Sequence, residues 1–371
     1  VEAGGKMKVV YVLPKYDEGA GEHFFHIYKL LSELGKKTSL AVLIEKSKGT
    51  PRFENVQHVE IVGAKNFFTR FAETFARLAM LRAQGYDTFY VHYSFFGAIA
   101  ASLIGRFSGG TVFYWNCGLP HLFFKSIFEK GWLQSKINDD WPLRLSLGMV
   151  DYLVTGTERM KKYYHHQFGV PLKKILVVPN EIDLSRFKVQ RANNKIPQIL
   201  FVHRISERKG AHYVVPIAEK VLKKAKAQFV IAGDGPYLPT LEAQIKKKKL
   251  GRWVKTLGGV PNKEVMKLYS QSDIFLMPSD EEGFPRVLLE AMATGTPFVA
   301  SDVGGVRDIV SKSAQEFVVE KGDVDKFAGK IIQLISDDKL RNKLSKDGLQ
   351  QVKQYDLKKV VPLLVKTLRE N

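Results

Sequence analysis

Two acids, Glu282 and Glu290, bracket seven residues in the run Ser279-Asp280-Glu281-Glu282-Gly283-Phe284-Pro285-Arg286-Val287-Leu288-Leu289-Glu290-Ala291-Met292-Ala293-Thr294-Gly295-Thr296-Pro297. Glu282 falls in a Gly/Pro turn, and Glu290 lies at least one helical turn inside the apolar segment that follows. The spacing places one carboxylate on a loop and the other on a helix. Backbone N–H groups of Gly283, Phe284 and their neighbours are expected to form a helix N-terminus between them, a ready anion site. Carboxylates accept hydrogen bonds from hydroxyls, and amides hold phosphate. A polyhydroxylated, phosphorylated ligand such as a nucleotide sugar has both parts.

A second constellation is His203-Arg204-Ile205-Ser206-Glu207-Arg208-Lys209-Gly210, directly after an apolar strand. Arg204 and Lys209 are expected to project at the carboxyl end of that strand. Two cations there would neutralise a diphosphate leaving group, and stabilising charge as it develops is usually the largest catalytic contribution. Arginine offers a bidentate fork and lysine a compact charge. Asn138-Asp139-Asp140-Trp141 reads as a turn or helix start rather than as metal ligands, and no metal is expected.

The Glu282–Glu290 run resembles the signature of family-four retaining glycosyltransferases, the group 1 glycosyl transferases of GT-B fold. Their pattern E-G-F-x-x-x-x-x-E-A-M-A-x-G-x-P reads here as EEGFPRVLLEAMATGTP. Arg204 and Lys209-Gly210 match the family's Arg-x-x-x-x-Lys-Gly element, with His203 where glycine is common. Gly233 and Gly235 fall in an A-G-x-G-P-like turn, and Val260 in the loop that lines the nucleotide base. Val303-Gly304-Gly305 resembles V-G-G-x-x-E with Asp308 for Glu, and Pro179-Asn180-Glu181 resembles P-N-G with Glu181 for Gly. The resemblance implies catalytic roles for Arg204, Lys209 and Glu282. It implies donor contacts from Gly283, Phe284, Pro285, Val287 and Glu290, with Glu290 on the ribose and Glu282 on the transferred sugar. Relatives often carry a His-Gly pair where this chain has Cys117-Gly118; either His121, three residues on, supplies that histidine's function, or the function is absent. Cys117 itself has no base or cation nearby in sequence to make it a nucleophile.

Those residues need a scaffold. Apolar strands alternate with amphipathic helical stretches, which argues parallel sheets covered by helices. Strands are expected at 9–13, 38–44, 88–93, 112–115, 152–155 and 175–178, then at 199–203, 227–232, 254–257, 274–277, 298–300 and 316–319. Phe95–Ile104 reads as a buried helix, and Gly19-Ala20-Gly21-Glu22 opens a helix after the first strand, so Gly19 and Gly21 are further donor candidates. The polar stretch 187–198 is the expected linker. Two such halves suggest two Rossmann-like domains with a cleft between them, and with the resemblance the expected fold class is α/β, GT-B, two Rossmann-like domains facing a central cleft. Residues 7–190 would form the acceptor domain, 191–355 the nucleotide-sugar donor domain, and 356–371 a helix crossing back to the first, with Pro362 either kinking it or marking a later start. The residues before Met7 are read as lying outside the fold.

With 371 residues, two domains are the prior. A single cysteine excludes an internal disulfide framework and fits a reducing compartment. No apolar run reaches spanning length and no signal peptide is expected. The net charge of +19 points to an acidic partner. Aromatic-basic stretches sharpen this. Phe67, Phe68, Phe71, Phe75 and Leu78, with Arg70, Arg77 and Arg82 beside them, follow helical spacing and are read mainly as core. Phe123 to Trp141, with Lys125, Lys130 and Lys136, is read as the better membrane-interface segment. The expectation is therefore a cytoplasmic enzyme, peripheral on the inner face of a membrane. It would need no cofactor beyond its nucleotide-diphosphate-sugar co-substrate, and would bind a lipid-linked or glycan acceptor and an anionic surface, not nucleic acid. The rivals are a nucleotide-sugar epimerase of related fold and a non-enzymatic basic binding protein.

Overall fold

The computed structural model describes residues 5–18, 25–118, 141–187 and 194–371. Contacts divide the chain into two units, Val1–Glu181 with Leu357–Asn371, and Ile182–Asp356. The division falls before the polar stretch 187–198. Ile182 already belongs to the second unit, its N–H donating to the Tyr355 carbonyl at 2.9 Å. Asn194 and Gln198 are tied to the same unit through Asp273, whose Oδ2 accepts from both at 2.9 and 2.8 Å.

The first unit runs β1 (Lys8–Leu13), β2 (Tyr16–Asp17), α1 (Phe25–Lys37), β3 (Ser39–Ile44), β4 (Ser47–Lys48), β5 (His58–Ile61), α2 (Phe67–Ala83), β6 (Thr88–His92), α3 (Phe95–Ser108), β7 (Thr111–Trp115), α4 (Trp141–Met149), β8 (Tyr152–Thr155), α5 (Glu158–Phe168) and β9 (Ile175–Val177). Its parallel sheet has the order β5-β3-β1-β6-β7-β8-β9. β3 is buried at every position, as expected of a strand covered on both faces. α3 is largely apolar and buries Gly97 to Ser102 and Ile104, while its last turn, with Arg106 and Phe107, is exposed. The edge strand β5 escapes the sequence reading because its residues His58-Val59-Glu60-Ile61 are only partly buried and only half apolar.

The second unit runs β10 (Gln198–Val202), α6 (Ala211–Leu222), β11 (Gln228–Ala232), α7 (Leu238–Lys247), β12 (Val254–Thr256), α8 (Asn262–Ser270), β13 (Ile274–Met277), α9 (Arg286–Thr294), β14 (Phe298–Ser301), α10 (Val306–Ile309), β15 (Val318–Val319), α11 (Val324–Ser336) and α12 (Asp338–Val352). Its parallel sheet has the order β12-β11-β10-β13-β14-β15. The last helix, α13 (Leu357–Glu370), packs on α1 in the first unit and passes through Pro362 without interruption. Each sheet reverses its winding once, at β1/β6 in the first unit and at β10/β13 in the second. Such switch points open a crevice beyond the carboxyl ends of the strands, where open α/β sheets take ligands.

One reading changes. Phe67 and Phe68 are 45% and 82% exposed, so the start of the phenylalanine stripe faces solvent, while Leu78 of the same stripe is buried with Thr74 and Leu81. Among the described residues no helix is long and apolar enough to cross a membrane.

At the end of β3, Glu45 is buried and the Ser94 hydroxyl lies 2.7 Å from each of its carboxylate oxygens. Burial pushes this carboxyl up to about 7, against the pull of Ser94, Lys46 and Arg70. A folded-state pKa raised from 4.5 favours the protonated form, so its contribution is full below pH 4.5 and is lost as pH rises through about 7. Glu45→Gln should therefore flatten the pH dependence of thermal stability between pH 5 and 8. It should remove a decline of about 3 kcal/mol that this carboxyl is expected to contribute in the parent protein over that range. Parallel melting curves for both proteins across this window check it.

Candidate functional site

The second unit's switch point gathers the charged residues. β10 carries its buried run Ile199, Leu200 and Phe201 to the sheet's edge, and the chain then emerges at His203 and Arg204. Ile205, fully buried, pins the loop; its N–H donates to the Asp234 carbonyl at 2.9 Å. A single 3-10 turn, Glu207–Lys209, precedes α6. From the neighbouring strand β13 come Ser279 and Glu282, both buried.

Three donors converge on one oxygen. Glu282 Oε1 accepts from Lys209 Nζ at 2.7 Å, His203 Nε2 at 2.9 Å and Ser279 Oγ at 3.0 Å. None of these reaches Oε2. Burial alone would raise the Glu282 pKa, but the charge of Lys209 and the hydrogen bonds from Lys209 and His203 outweigh it. Together they hold the carboxyl well below the usual range. His203 is pushed down by burial and by Lys209, against the pull of Glu282, so the imidazole is neutral at pH 7. The surrounding bonds assign its tautomer: Nε2 donates to Glu282 while Nδ1 accepts the Arg204 N–H at 3.1 Å.

Arg204 differs from Lys209. It is exposed, and its guanidinium makes no hydrogen bond or ion pair among the described residues. The two cations thus do not form an equivalent pair: Lys209 is neutralised inside the protein, and Arg204 is left to the solvent face.

Glu290 has a separate set of neighbours. It lies on α9, half-buried, with Tyr269, Arg286 and Arg186 nearby. Burial raises its pKa, and those three groups pull it back. The helix N-terminus sits later than the sequence pattern implies. Pro285 is the N-cap and Arg286 the first helical residue, so Gly283 and Phe284 precede the helix and Pro285 supplies no N–H. The Phe284 ring is an anchor, buried edge-on against Tyr355 at 5.6 Å. Val287 is half-buried, and its carbonyl accepts from the Tyr269 hydroxyl at 3.2 Å. Val260 is half-buried in the loop between β12 and α8.

Gly233 and Gly235 have a packing reason of their own. Side chains there would meet the carbonyl oxygens of His203 at 1.9 Å and of Ile205 at 2.4 Å, so the turn after β11 presses directly on the cationic loop. Gly304 does the same for Glu282: with φ +51, a Cβ there would lie 1.7 Å from the Glu282 carbonyl oxygen. Gly305 N–H then donates to the Gly283 carbonyl at 2.9 Å. Gly19, Gly21, His121, Asp139 and Asp140 lie outside the described residues. Cys117 is buried.

Sequence reasoning missed His203, Ser279, Tyr269 and Arg186. His203 stood out only as a departure from a glycine. Its partner is 79 residues away in the chain, which no local pattern discloses.

Residues 184–351 match the family model described as glycosyl transferases group 1, and residues 18–186 match that described as glycosyltransferase family 4. Together the two models run through nearly all of the chain, and the protein belongs to this glycosyltransferase family. An uncharacterised glycosyltransferase of Methanocaldococcus jannaschii is 31% identical over 198 residues, covering 50% of this chain and 51% of that protein. WcaL of Escherichia coli, named for colanic acid biosynthesis, is 27% identical over 309 residues, 75% of this chain and 71% of that one. The chain spans about half the length of most of the curated relatives it matches. Sucrose-phosphate synthase from Thermosynechococcus elongatus shares the fold with a TM-score of 0.79 at 17% identity, over 98% of this chain and 99% of that one. HepE from Anabaena, solved in complex with UDP, does so with 0.77 at 16%, over 98% and 100%. The fold is GT-B.

The contrast between the two cations is testable without substrate. Lys209→Met strands the buried Glu282 carboxylate and should cost the second unit about 3 to 5 kcal/mol. Arg204→Ala should leave the unfolding midpoint unchanged. Denaturant titration of both variants checks it.

Proposed function

We propose that this chain is a retaining glycosyltransferase. It moves a sugar from a nucleoside-diphosphate sugar, held by the second unit, to a hydroxyl of a lipid-linked or cell-envelope glycan acceptor, held by the first. The observation that carries this is the asymmetric charge at the second unit's switch point: a buried Lys209–Glu282 pair beside a free Arg204. Family membership and the UDP complex of a protein sharing the fold support a nucleotide donor. The name of the relative WcaL supports a cell-envelope glycan product.

In the transfer, the acceptor oxygen forms a bond to the anomeric carbon as the bond from that carbon to the β-phosphate oxygen breaks. The acceptor proton passes to the departing phosphate oxygen. Attack on the face the diphosphate leaves gives retention, as the family resemblance implies. Arg204 meets the charge growing on the diphosphate. Lys209 and His203 fix Glu282 through Oε1, and Oε2 accepts a hydroxyl of the transferred sugar. Glu290, on α9, takes the ribose hydroxyls.

Purified protein offered UDP-, GDP- and ADP-sugars should release nucleoside diphosphate from one of them, more strongly with a membrane-lipid extract. Arg204→Ala should lower that turnover by about 10²- to 10³-fold. Unchanged turnover in the variant would overturn the assignment.

Peripheral membrane binding is part of the same proposal. Phe67 and Phe68 are exposed at the start of α2, beside exposed Lys65 and half-buried Arg70. Trp141, at the end of the second aromatic stretch, is 67% exposed. Phe67→Ser with Phe68→Ser should weaken flotation with vesicles containing anionic lipid, while leaving turnover on a water-soluble acceptor intact.

A further inference from the structure

The first unit's switch point is built from rings rather than charges. β6 ends in Tyr90-Val91-His92, and Tyr93 follows with φ +56. A bulky residue in the left-handed region is an outlier, and such strain persists only where its surroundings hold it. Here they do. The Tyr93 N–H donates to the Trp115 carbonyl of β7 at 3.1 Å. The rings of His92 and Trp115 stack at 4.4 Å, 8° from parallel. The Tyr93 ring stands perpendicular to both, 4.8 Å from Trp115 and 5.0 Å from His92. Across the switch point, the Tyr11 hydroxyl of β1 is hydrogen-bonded to His92 Nδ1 at 2.8 Å.

Three strands thus contribute to one cluster, and its members differ in exposure. Tyr11 is fully buried and Trp115 nearly so, whereas Tyr93 remains 41% exposed. Turn geometry does not account for this. The next residue, Ser94, caps α3, and glycine or asparagine at 93 would make the same left-handed step without strain. A tyrosine there bears the strain and presents a braced ring at the crevice where an α/β sheet takes its ligand.

We propose that Tyr93 is a stacking platform for a pyranose ring of the acceptor. The reading rests on the first unit holding the acceptor. A pyranose offers an apolar C–H face to an aromatic ring and hydroxyls around its rim, which suits an amphipathic tyrosine. The acceptor is therefore itself a glycoside, not a plain lipid alcohol.

Four proteins test this: the parent, Tyr93→Phe, Tyr93→Ala and Tyr93→Gly. Glycine accepts the left-handed backbone, so Tyr93→Gly removes the ring without adding strain, and its melting point controls for folding. Probes are a panel of methyl glycosides and disaccharides, with short alkyl alcohols as ringless acceptors. Nucleoside-diphosphate release gives KM for each probe and for the donor. Tyr93→Ala and Tyr93→Gly should raise the glycoside KM about tenfold, the scale of one aromatic contact. Tyr93→Phe should stay near the parent, and donor KM and acceptor-free donor hydrolysis should be unchanged in all. An unchanged glycoside KM in Tyr93→Gly overturns the platform. So does a Tyr93→Phe defect as large as that of Tyr93→Gly, or a parent enzyme stimulated by alkyl alcohols and not by glycosides. If the parent releases nucleoside diphosphate from no donor, the transferase reading fails instead. Glycoside-induced change in tryptophan fluorescence, present in the parent and Tyr93→Phe and absent in Tyr93→Gly, would then still support the platform, and its absence from the parent would overturn it.

Discussion

A carboxylate with almost no contact with water has to be matched by donors, and the Glu282 side chain is 6% exposed. Much of the second unit's switch point is arranged to meet that condition. Lys209 arrives on a 3-10 turn, His203 at the end of β10 and Ser279 just past β13. β10 and β13 are distant in sequence and adjacent in the sheet, so the parallel topology is what lets donors 73 and 79 residues from the acid reach the same oxygen. The glycines serve the same end. Gly304 lets the loop after β14 lie against the Glu282 backbone, and Gly233 lets the turn after β11 lie against His203. One fixes the backbone of the buried acid, the other that of the imidazole that donates to it.

The two units repeat one topology with opposite chemistry. Both wind outward from a central strand and reverse once. At the second unit's reversal the partners are a lysine, a carboxylate and a free arginine. At the first unit's they are tyrosines, a histidine and a tryptophan held by stacking and by one hydroxyl–imidazole bond. Fixed charge suits a ligand that carries charge, and stacked rings suit one whose recognisable surface is a neutral ring. Glu45, also near the first unit's carboxyl edge, is pushed toward its neutral form rather than held ionised.

The strands were legible because parallel strands covered on both faces are nearly continuous apolar runs. Tyr152–Thr155 and Ile274–Met277 emerge with the expected limits, while β5, partly polar at the edge, does not. The acidic run and the Arg204/Lys209 spacing were legible as a pattern, because local spacing survives in the sequence. What the sequence could not carry is which cation is spent. Arg204 and Lys209 look alike in one dimension, and only the three-dimensional position of Glu282 makes one buried and the other free. The start of the phenylalanine stripe misled for a related reason. Periodicity says that Phe67, Phe68, Phe71, Phe75 and Leu78 recur along a helix; α2 turns Leu78 inward with Thr74 and Leu81, but leaves Phe67 and Phe68 exposed.

The histidine at 203 follows from the same electrostatics. A second cation beside Lys209 would compete with it for Glu282 and would carry unmatched charge into a buried site. A glycine would leave Glu282 one donor short. Neutral imidazole supplies the hydrogen bond without the charge, and its other nitrogen accepts the Arg204 N–H, so the backbone that carries the free guanidinium is tied to the buried acid. Lys209 and Glu282 cancel, His203 adds no charge, and among the described residues the Arg204 guanidinium has no counter-ion. The site can therefore remain folded without a ligand and still present a cation where an anionic leaving group would need one.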